Sequence, residues 1–293
     1  MEQATIREAV NSVKLAGVLK EKSLEIKTGD KGKYISGYLI IQTDANSAHR
    51  VNMFANEKTK DGKDSGIFTS TNTIKNEYIS LADCATNGWD ESRATRVVVT
   101  NGRLGLNEYY GEDGTLHSGW SVTATFVNSI KTGGPVDFCA NFEVEGFINA
   151  VREKDDKVFV DLIVPVYGGR VVPITFSVAP AVADFVLNNY NRGDSTMFAG
   201  SLVNMAEKEV KRKEGFGGVQ EEITIKYVRA LVISNGNPSA YDPDDDNTKA
   251  WDSKAIKVAL TEREAYLETL KAKGNKPKTS TATTSKKAQE FDF

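Results

Sequence analysis

The chain has 293 residues, 40% of them hydrophobic, and its 37 Lys and Arg against 40 Asp and Glu leave a formal net charge of −3. That length suits two domains of about 100–150 residues plus an appendage. Nothing approaches the run of ~20 apolar residues that a membrane span requires, and the charge balance excludes a histone-like cationic coat while leaving room for a local basic groove.

By segment, Lys+Arg against Asp+Glu reads 16 and 16 for 1–135, 11 and 14 for 136–236, and 10 and 10 for 237–293. The opening residues MEQATIREAVNSVKL lack the apolar stretch and small-residue cleavage site of a secretory signal, so a cytoplasmic location is expected. Cys84 and Cys139 are the only cysteines, and His49 and His117 the only histidines. In a reducing compartment two thiols are expected rather than a disulfide. No spacing suits structural zinc, so no metal and no cofactor is expected.

In chain order, 1–12 read as a short helix or loose lead-in. Residues 13–20 alternate as a half-buried strand, with Gly17 marking a bulge or bend. GDKGK (29–33) is a turn, YISGYLIIQT (34–43) and RVNMFA (50–55) are strands, and 73–86 has helical spacing. VVVTNGRLGLNEYY (97–110) and WSVTATFVNSI (120–130) follow as strands. A second set repeats the order: strands at 142–151, 157–166 and 170–178, a helix over 179–190 with Pro180 in its first turn, and strands at 197–210 and 221–234. Residues 94–130 lie over 195–231 at a constant offset of 101, pairing Thr95 with Thr196, Thr123 with Thr224, Phe126 with Tyr227 and Val127 with Val228. An earlier pair puts Gly17 on Gly146. The domains expected are 1–135 and 136–236, with KTGGPVD (131–137) as their boundary. Beyond them lie an acidic loop and amphipathic helix (237–274) and a low-complexity, disordered tail (275–293). Thr261 and Glu264 have capping-box spacing for a helix over 260–274, and the acidic DPDDD run (242–246) reads as a solvated turn.

Five strands with a helix between the third and fourth is the order of the OB-fold. That is a partly open barrel whose strand 2–3 face and 1–2 and 4–5 loops bind oligonucleotides. The expected fold is therefore mainly β: two tandem OB-like five-stranded barrels plus a C-terminal helix. Single-strand binding needs cations to follow phosphates and aromatic faces to stack bases. The first 1–2 loop, KEKSLEIKTGDKGK, offers Lys22, Lys27, Lys31 and Lys33. The first 4–5 loop offers Tyr109, Tyr110 and Trp120. Tyr34 and Tyr38 share a side of strand 2 by period two, and Arg50 on strand 3 joins that face. The second repeat offers Arg170 and, in its 4–5 loop EKEVKRKEGFGG, Lys211, Arg212, Lys213 and Phe216. Phe126 and Tyr227, centred in matched strands, read as core.

The chain as a whole resembles a phage-type single-stranded-DNA-binding protein with tandem OB-folds and a protein-docking tail. The tail carries part of that resemblance. A polar Lys/Thr/Ser-rich linker ends in Glu290, Phe291, Asp292 and Phe293, with two acids instead of an aspartate run and no proline before the terminal Phe. The resemblance implies a non-enzymatic coat with little sequence preference. It would protect single strands, recruit replication and recombination proteins through the tip, and self-associate along DNA. No phosphate loop, dinucleotide fingerprint or nucleophile elbow is present. A scaffold using tandem barrels for protein contact remains the alternative.

Overall fold

A computed structural model of the chain describes residues 6–30, 32–130, 137–215, 218–245 and 247–274, with the side chains of 207–223 and 273–274 outside that description. The 131–137 boundary lies almost wholly outside it, as do Lys31, Phe216 and the tip Glu290–Phe293.

The first repeat runs β1 (Asn11–Gly29), β2 (Gly32–Gln42), β3 (Ala48–Asn56), α1 (Gly66–Glu77), α2 (Leu81–Asn87), β4 (Arg96–Tyr110), β5 (Leu116–Ala124) and a two-residue β6 (Asn128–Ser129). The second runs β7 (Cys139–Lys154), β8 (Lys157–Val166), β9 (Arg170–Val178), α3 (Pro180–Asn189), β10 (Ser195–Gly215) and β11 (Gly218–Gly236), before α4 (Ser253–Gly274). Both repeats share one pairing circuit. In the first, β1 pairs with β2, β2 with β3, β3 in parallel with β5, β5 with β4, and β4 with β1. In the second, β7, β8, β9, β11 and β10 do the same. This is OB connectivity, and the chain is mainly β as expected.

The alternation of each strand explains the interior. Leu15, Leu19, Ile35, Leu39, Ile41, Val51 and Val99 are fully buried in the first repeat, and Val144, Ile148, Val160, Leu162 and Phe176 in the second. Each side chain of this size contributes about 1.5–3 kcal/mol on burial. At Gly17 a Cβ would lie 2.2 Å from the Gln42 carbonyl oxygen, so only glycine lets β2 approach.

The equivalence of Gly17 and Gly146 holds, because ladder irregularities fall at the same place in each first strand, between Leu19 and Glu21 and between Ile148 and Ala150. The constant offset of 101 does not hold. Gly102 stands opposite Val13 and Gly200 opposite Phe142, three residues out of step with it. Val122, opposite Leu104, corresponds to Leu231, opposite Leu202, a further slip that separates Thr123 from Thr224 and Phe126 from Tyr227. The cause is the longer second hairpin: β10 has 21 residues where β4 has 15.

The repeats meet through their first strands. β1 pairs antiparallel with β7 from Asn11↔Val144 to Ala16↔Cys139, with Val13 directly opposite Phe142. These two residues are themselves equivalent, so an approximate twofold axis passes between them. All eleven strands thereby join one continuous set of ladders. Beside this seam Glu145, with 1% of its side chain exposed, accepts hydrogen bonds from Arg7 (2.6 Å), the Val10 amide (3.0 Å) and the Tyr241 hydroxyl (2.8 Å).

Other expectations are corrected. The helix expected over 73–86 is two helices, broken at Tyr78–Ser80 because Ser80 forms a capping box with Asp83 and starts α2 afresh. The C-terminal helix starts at Ser253, with Asp252 accepting from the Lys254 amide at 3.0 Å. Thr261 is therefore interior, and its hydroxyl bonds back to the Lys257 carbonyl at 3.1 Å. Of the two alternatives for the opening residues, 6–10 take the loose lead-in. Phe126 and Tyr227 are not core: they are 41% and 63% exposed. Cys84 and Cys139 are free thiols. In the acidic turn Asp242 and Asp245 accept from the amides of Asp244 and Asn247, both at 2.9 Å, so these two carboxylates serve their own loop. No described helix is long and apolar enough to cross a membrane.

Candidate nucleic-acid interface

Hairpin β2–β3 turns one row of side chains into the first barrel and the other row outward. Ile35, Leu39 and Ile41 with Val51, Met53 and Ala55 point in and are buried. The intervening positions, Tyr34, Ser36 and Tyr38 with Arg50, Asn52 and Phe54, therefore share the outer face. Here Tyr34 and Phe54 lie 5.5 Å apart, ring centroid to centroid, at an interplanar angle of 35°. The Arg50 guanidinium sits 3.9 Å above the Tyr38 ring, and its Nε donates to Asn52 Oδ1 at 3.1 Å. Phe54 is 59% exposed, the opposite of what apolar burial favours for a phenylalanine. The predicted trio Tyr34, Tyr38 and Arg50 is thus brought together. Phe54 and Asn52 were missed, although 50, 52 and 54 alternate visibly in the sequence.

Two acids border this face. Glu21 accepts from the Tyr38 hydroxyl at 2.8 Å, and that bond, with burial and the Glu21 charge, raises the tyrosine's pKa against the opposing pull of Arg50. Glu25 pairs with Lys27 at 3.1 Å, and Lys27 stands opposite Tyr34 in the β1–β2 ladder. Lys33 is exposed opposite Thr28.

Several predicted residues lie elsewhere. The stretch read as a 1–2 loop is strand, because β1 continues to Gly29. Lys22 consequently turns to the helix side, donating to the Tyr78 carbonyl and lying 3.5 Å from Asp83. Lys22 ties α2 to β1 and is removed from the interface. Much of the two regions read as 4–5 loops is also ladder: Tyr109 and Tyr110 end β4, Trp120 lies in β5, and Lys211–Lys213 lie in β10. Tyr109 is exposed and stacks on His117 at 5.0 Å. Tyr110 lies 5.9 Å beneath the Lys271 ammonium of α4. Lys211, Arg212 and Lys213 occupy β10, in register with Glu222, Glu221 and Gln220. Arg170 closes the β8–β9 turn and lines a cleft of about 560 Å³ with Arg103, Arg263 and Tyr266, which shares no residue with the β2–β3 face.

The long β10–β11 ribbon of the second repeat extends over the first. Met205 bridges to Ser47, the Ala206 amide donates to the Asn46 carbonyl at 3.1 Å, and Asn204 Nδ2 donates to the Ala48 carbonyl at 2.6 Å. Across the ribbon from Asn204, Arg229 lies 4.3 Å over the Trp120 ring and donates to the Trp120 carbonyl. Trp120 is therefore a platform between repeats, and Arg229 is a residue that sequence reasoning missed. Desolvation and then the Arg50 charge hold Arg229 below the usual arginine value.

The two repeats are not equivalent on their β2–β3-type faces. On β8–β9, Asp161 binds Arg152 through both its oxygens (2.8 and 2.9 Å) and accepts from the Thr175 hydroxyl (2.6 Å). Charge there is satisfied internally.

Beside Arg50, His49 points inward, is 2% exposed, and its Nδ1 has no hydrogen-bond partner. Burial pulls its pKa from 6.5 down to about 4, against a small upward pull from Asp44. The imidazole is neutral at pH 7. The unfolded chain takes up this proton near pH 6.5 and the folded chain only near 4, so stability falls as pH drops through that window. The loss expected is about 3 kcal/mol by pH 4, at about 1.4 kcal/mol per pKa unit. Urea midpoints measured from pH 7 to 4 for the wild type and His49→Gln check this, the variant giving the flatter profile.

Among the described residues no group of three metal-ligating side chains converges. Among solved structures, the chain is similar to a deletion mutant of the single-stranded DNA binding protein from Thermus aquaticus, at 16% identity and a TM-score of 0.49, over 81% of this chain and 99% of that one. It is also similar to a chain of a Replication Protein A heterotrimer bound to ssDNA, at 10% identity and a TM-score of 0.18, over 90% of this chain and 54% of that one. At these scores the fold of this chain rests on its own strand pairings. No curated protein sequence matches it. The family model that does match is YorF, which spans residues 9–273, and the chain belongs to the YorF family.

Proposed function

We propose that this protein binds single-stranded DNA without catalysis and with little sequence preference, on the outer β2–β3 face of its first repeat. The single observation that carries the reading is the outward-facing row Tyr34, Phe54, Tyr38 and Arg50 on that face, with Phe54 59% exposed and the two tyrosines half-buried. Aromatic planes stack any base, and a guanidinium presented on a tyrosine offers both a stacking plane and phosphate donors. Lys27, opposite Tyr34, borders the row, and β10 carries Lys211, Arg212 and Lys213 in its ladder. Residues 1–135 and 136–236 act as two domains of one binding unit. The protein coats and protects exposed strands, and the tip Glu290–Phe293 recruits replication and recombination partners.

Fluorescence anisotropy of a labelled oligo-dT of about 30 nucleotides, long enough for two OB units at ~4–16 nucleotides each, tests the reading. Strong preference over a matched duplex is expected, with affinity falling linearly in log salt. Equal affinity for duplex, or no binding at low salt, overturns it in favour of the scaffold alternative.

A further inference from the structure

Resting on that reading, we infer that Arg50 of the first repeat and Arg229 of the second form a two-guanidinium clamp for one backbone phosphate of the bound strand. Each arginine is held from behind by an aromatic ring, Arg50 at 3.9 Å from the Tyr38 centroid and Arg229 at 4.3 Å from that of Trp120. The ribbon brings them near each other: Asn204, directly across the ribbon from Arg229, donates to the carbonyl of Ala48 at 2.6 Å, two residues before Arg50 on β3. Each spends part of its fork on a neutral acceptor, Asn52 Oδ1 for Arg50 and the Trp120 carbonyl for Arg229. Among the described residues neither forms an ion pair with a carboxylate.

This placement has an electrostatic cost. Two like charges are brought near each other by the packing of one repeat on the other, and the charge of Arg50 is felt at Arg229. Three other arginines of this chain are paired with carboxylates: Arg263 with Glu108, Arg152 with Asp161, Arg7 with Glu145. An anion between Arg50 and Arg229 relieves the repulsion and accepts from both forks. The planar guanidinium suits two-oxygen recognition of phosphate. Because the two residues come from different repeats, the same phosphate staples the ribbon to the first barrel. The second repeat then serves the site with its ribbon, while its own β8–β9 face stays closed by Arg152, Asp161 and Thr175.

A double-mutant cycle on oligo-dT binding decides it, with urea midpoints confirming that each variant is folded. Arg50→Gln and Arg229→Gln are each expected to weaken binding about 10-fold, as loss of a charge-assisted hydrogen bond does. Each should flatten the salt slope by about 0.7, one phosphate's worth. The double variant should be little worse than either single one, since both act on one phosphate. Independent losses that multiply to about 100-fold overturn the clamp, as does an Arg229→Gln variant that binds like wild type while Phe54→Ala weakens binding. Should Arg229→Gln not fold, Arg229→Lys keeps the charge without the fork. Partial loss then supports the clamp, and wild-type binding overturns it. Failure of the wild type itself to bind oligo-dT would instead reject the functional reading on which the clamp rests.

Discussion

Replacing Tyr34 and Phe54 together by alanine is expected to lower affinity for single-stranded oligo-dT by about 30-fold to 10⁴-fold. Base stacking on an aromatic contributes about 1–3 kcal/mol per base, and two platforms therefore about 2–6 kcal/mol. The rings lie 5.5 Å apart on the outward side of the sheet, so their removal leaves the buried row Ile35, Leu39, Val51 and Met53 intact. Stability should change by under ~1 kcal/mol, as usual for surface positions away from a packed core. Phosphate contacts remain, so the salt slope should hold while the intercept falls. Anisotropy titrations at three salt concentrations separate the two. A variant binding within twofold of wild type would move the base-stacking surface off β2–β3. Phe159 on β8, 5.8 Å from the Arg152 guanidinium, supplies the internal control. Its replacement is expected to leave binding unchanged, because its face is already committed to the Arg152–Asp161 pair.

The second large effect is on folding. Glu145→Ala is expected to cost about 1–3 kcal/mol, the range for leaving hydrogen-bond donors without their acceptor. Burial alone would push the Glu145 carboxyl up. The hydrogen bonds from Arg7, the Val10 amide and Tyr241, together with the Arg7 charge, outweigh burial and hold it below the usual carboxylate range. Alanine leaves the Arg7 guanidinium, the Val10 amide and the Tyr241 hydroxyl without their shared acceptor. These three groups fasten the lead-in, the β1–β7 seam and the 237–252 connection at one point. Arg7 also lies 4.2 Å over Trp251, whose Nε1 donates to the Arg7 carbonyl at 2.9 Å. Loosening should therefore spread to α4. A depressed carboxyl stabilises the fold above the unfolded value near 4.5 and loses that contribution as pH falls through the folded value. Glu145→Gln, which retains the shape, should fall between wild type and Glu145→Ala in urea unfolding. A Glu145→Ala midpoint unchanged from wild type would show that Arg7 and Tyr241 find water at no cost.

The strand cores were legible in the sequence because one side of each is buried. Alternation at 34–43, 157–166 and 170–178 located β2, β8 and β9 closely. Pro180 marked the start of α3 for a local reason, its missing amide and preset φ. The same period placed Tyr34, Tyr38 and Arg50 on one face. Beyond Leu24, the last buried residue of β1, its final five residues are exposed, so this charged stretch at the end of β1 read as a loop.

What the sequence by itself determined is therefore local: which residues alternate, where helices are capped, and that the element order repeats. The tertiary structure alone decided which repeat leaves its outer face with an unpaired cation, since Asp161 pairs with Arg152 on one and nothing described neutralises Arg50 on the other. It alone brought Arg229 to Trp120, 109 residues away in the chain. Period and propensity act over a few residues. A contact between repeats depends on ribbon length and seam register, which no local pattern encodes.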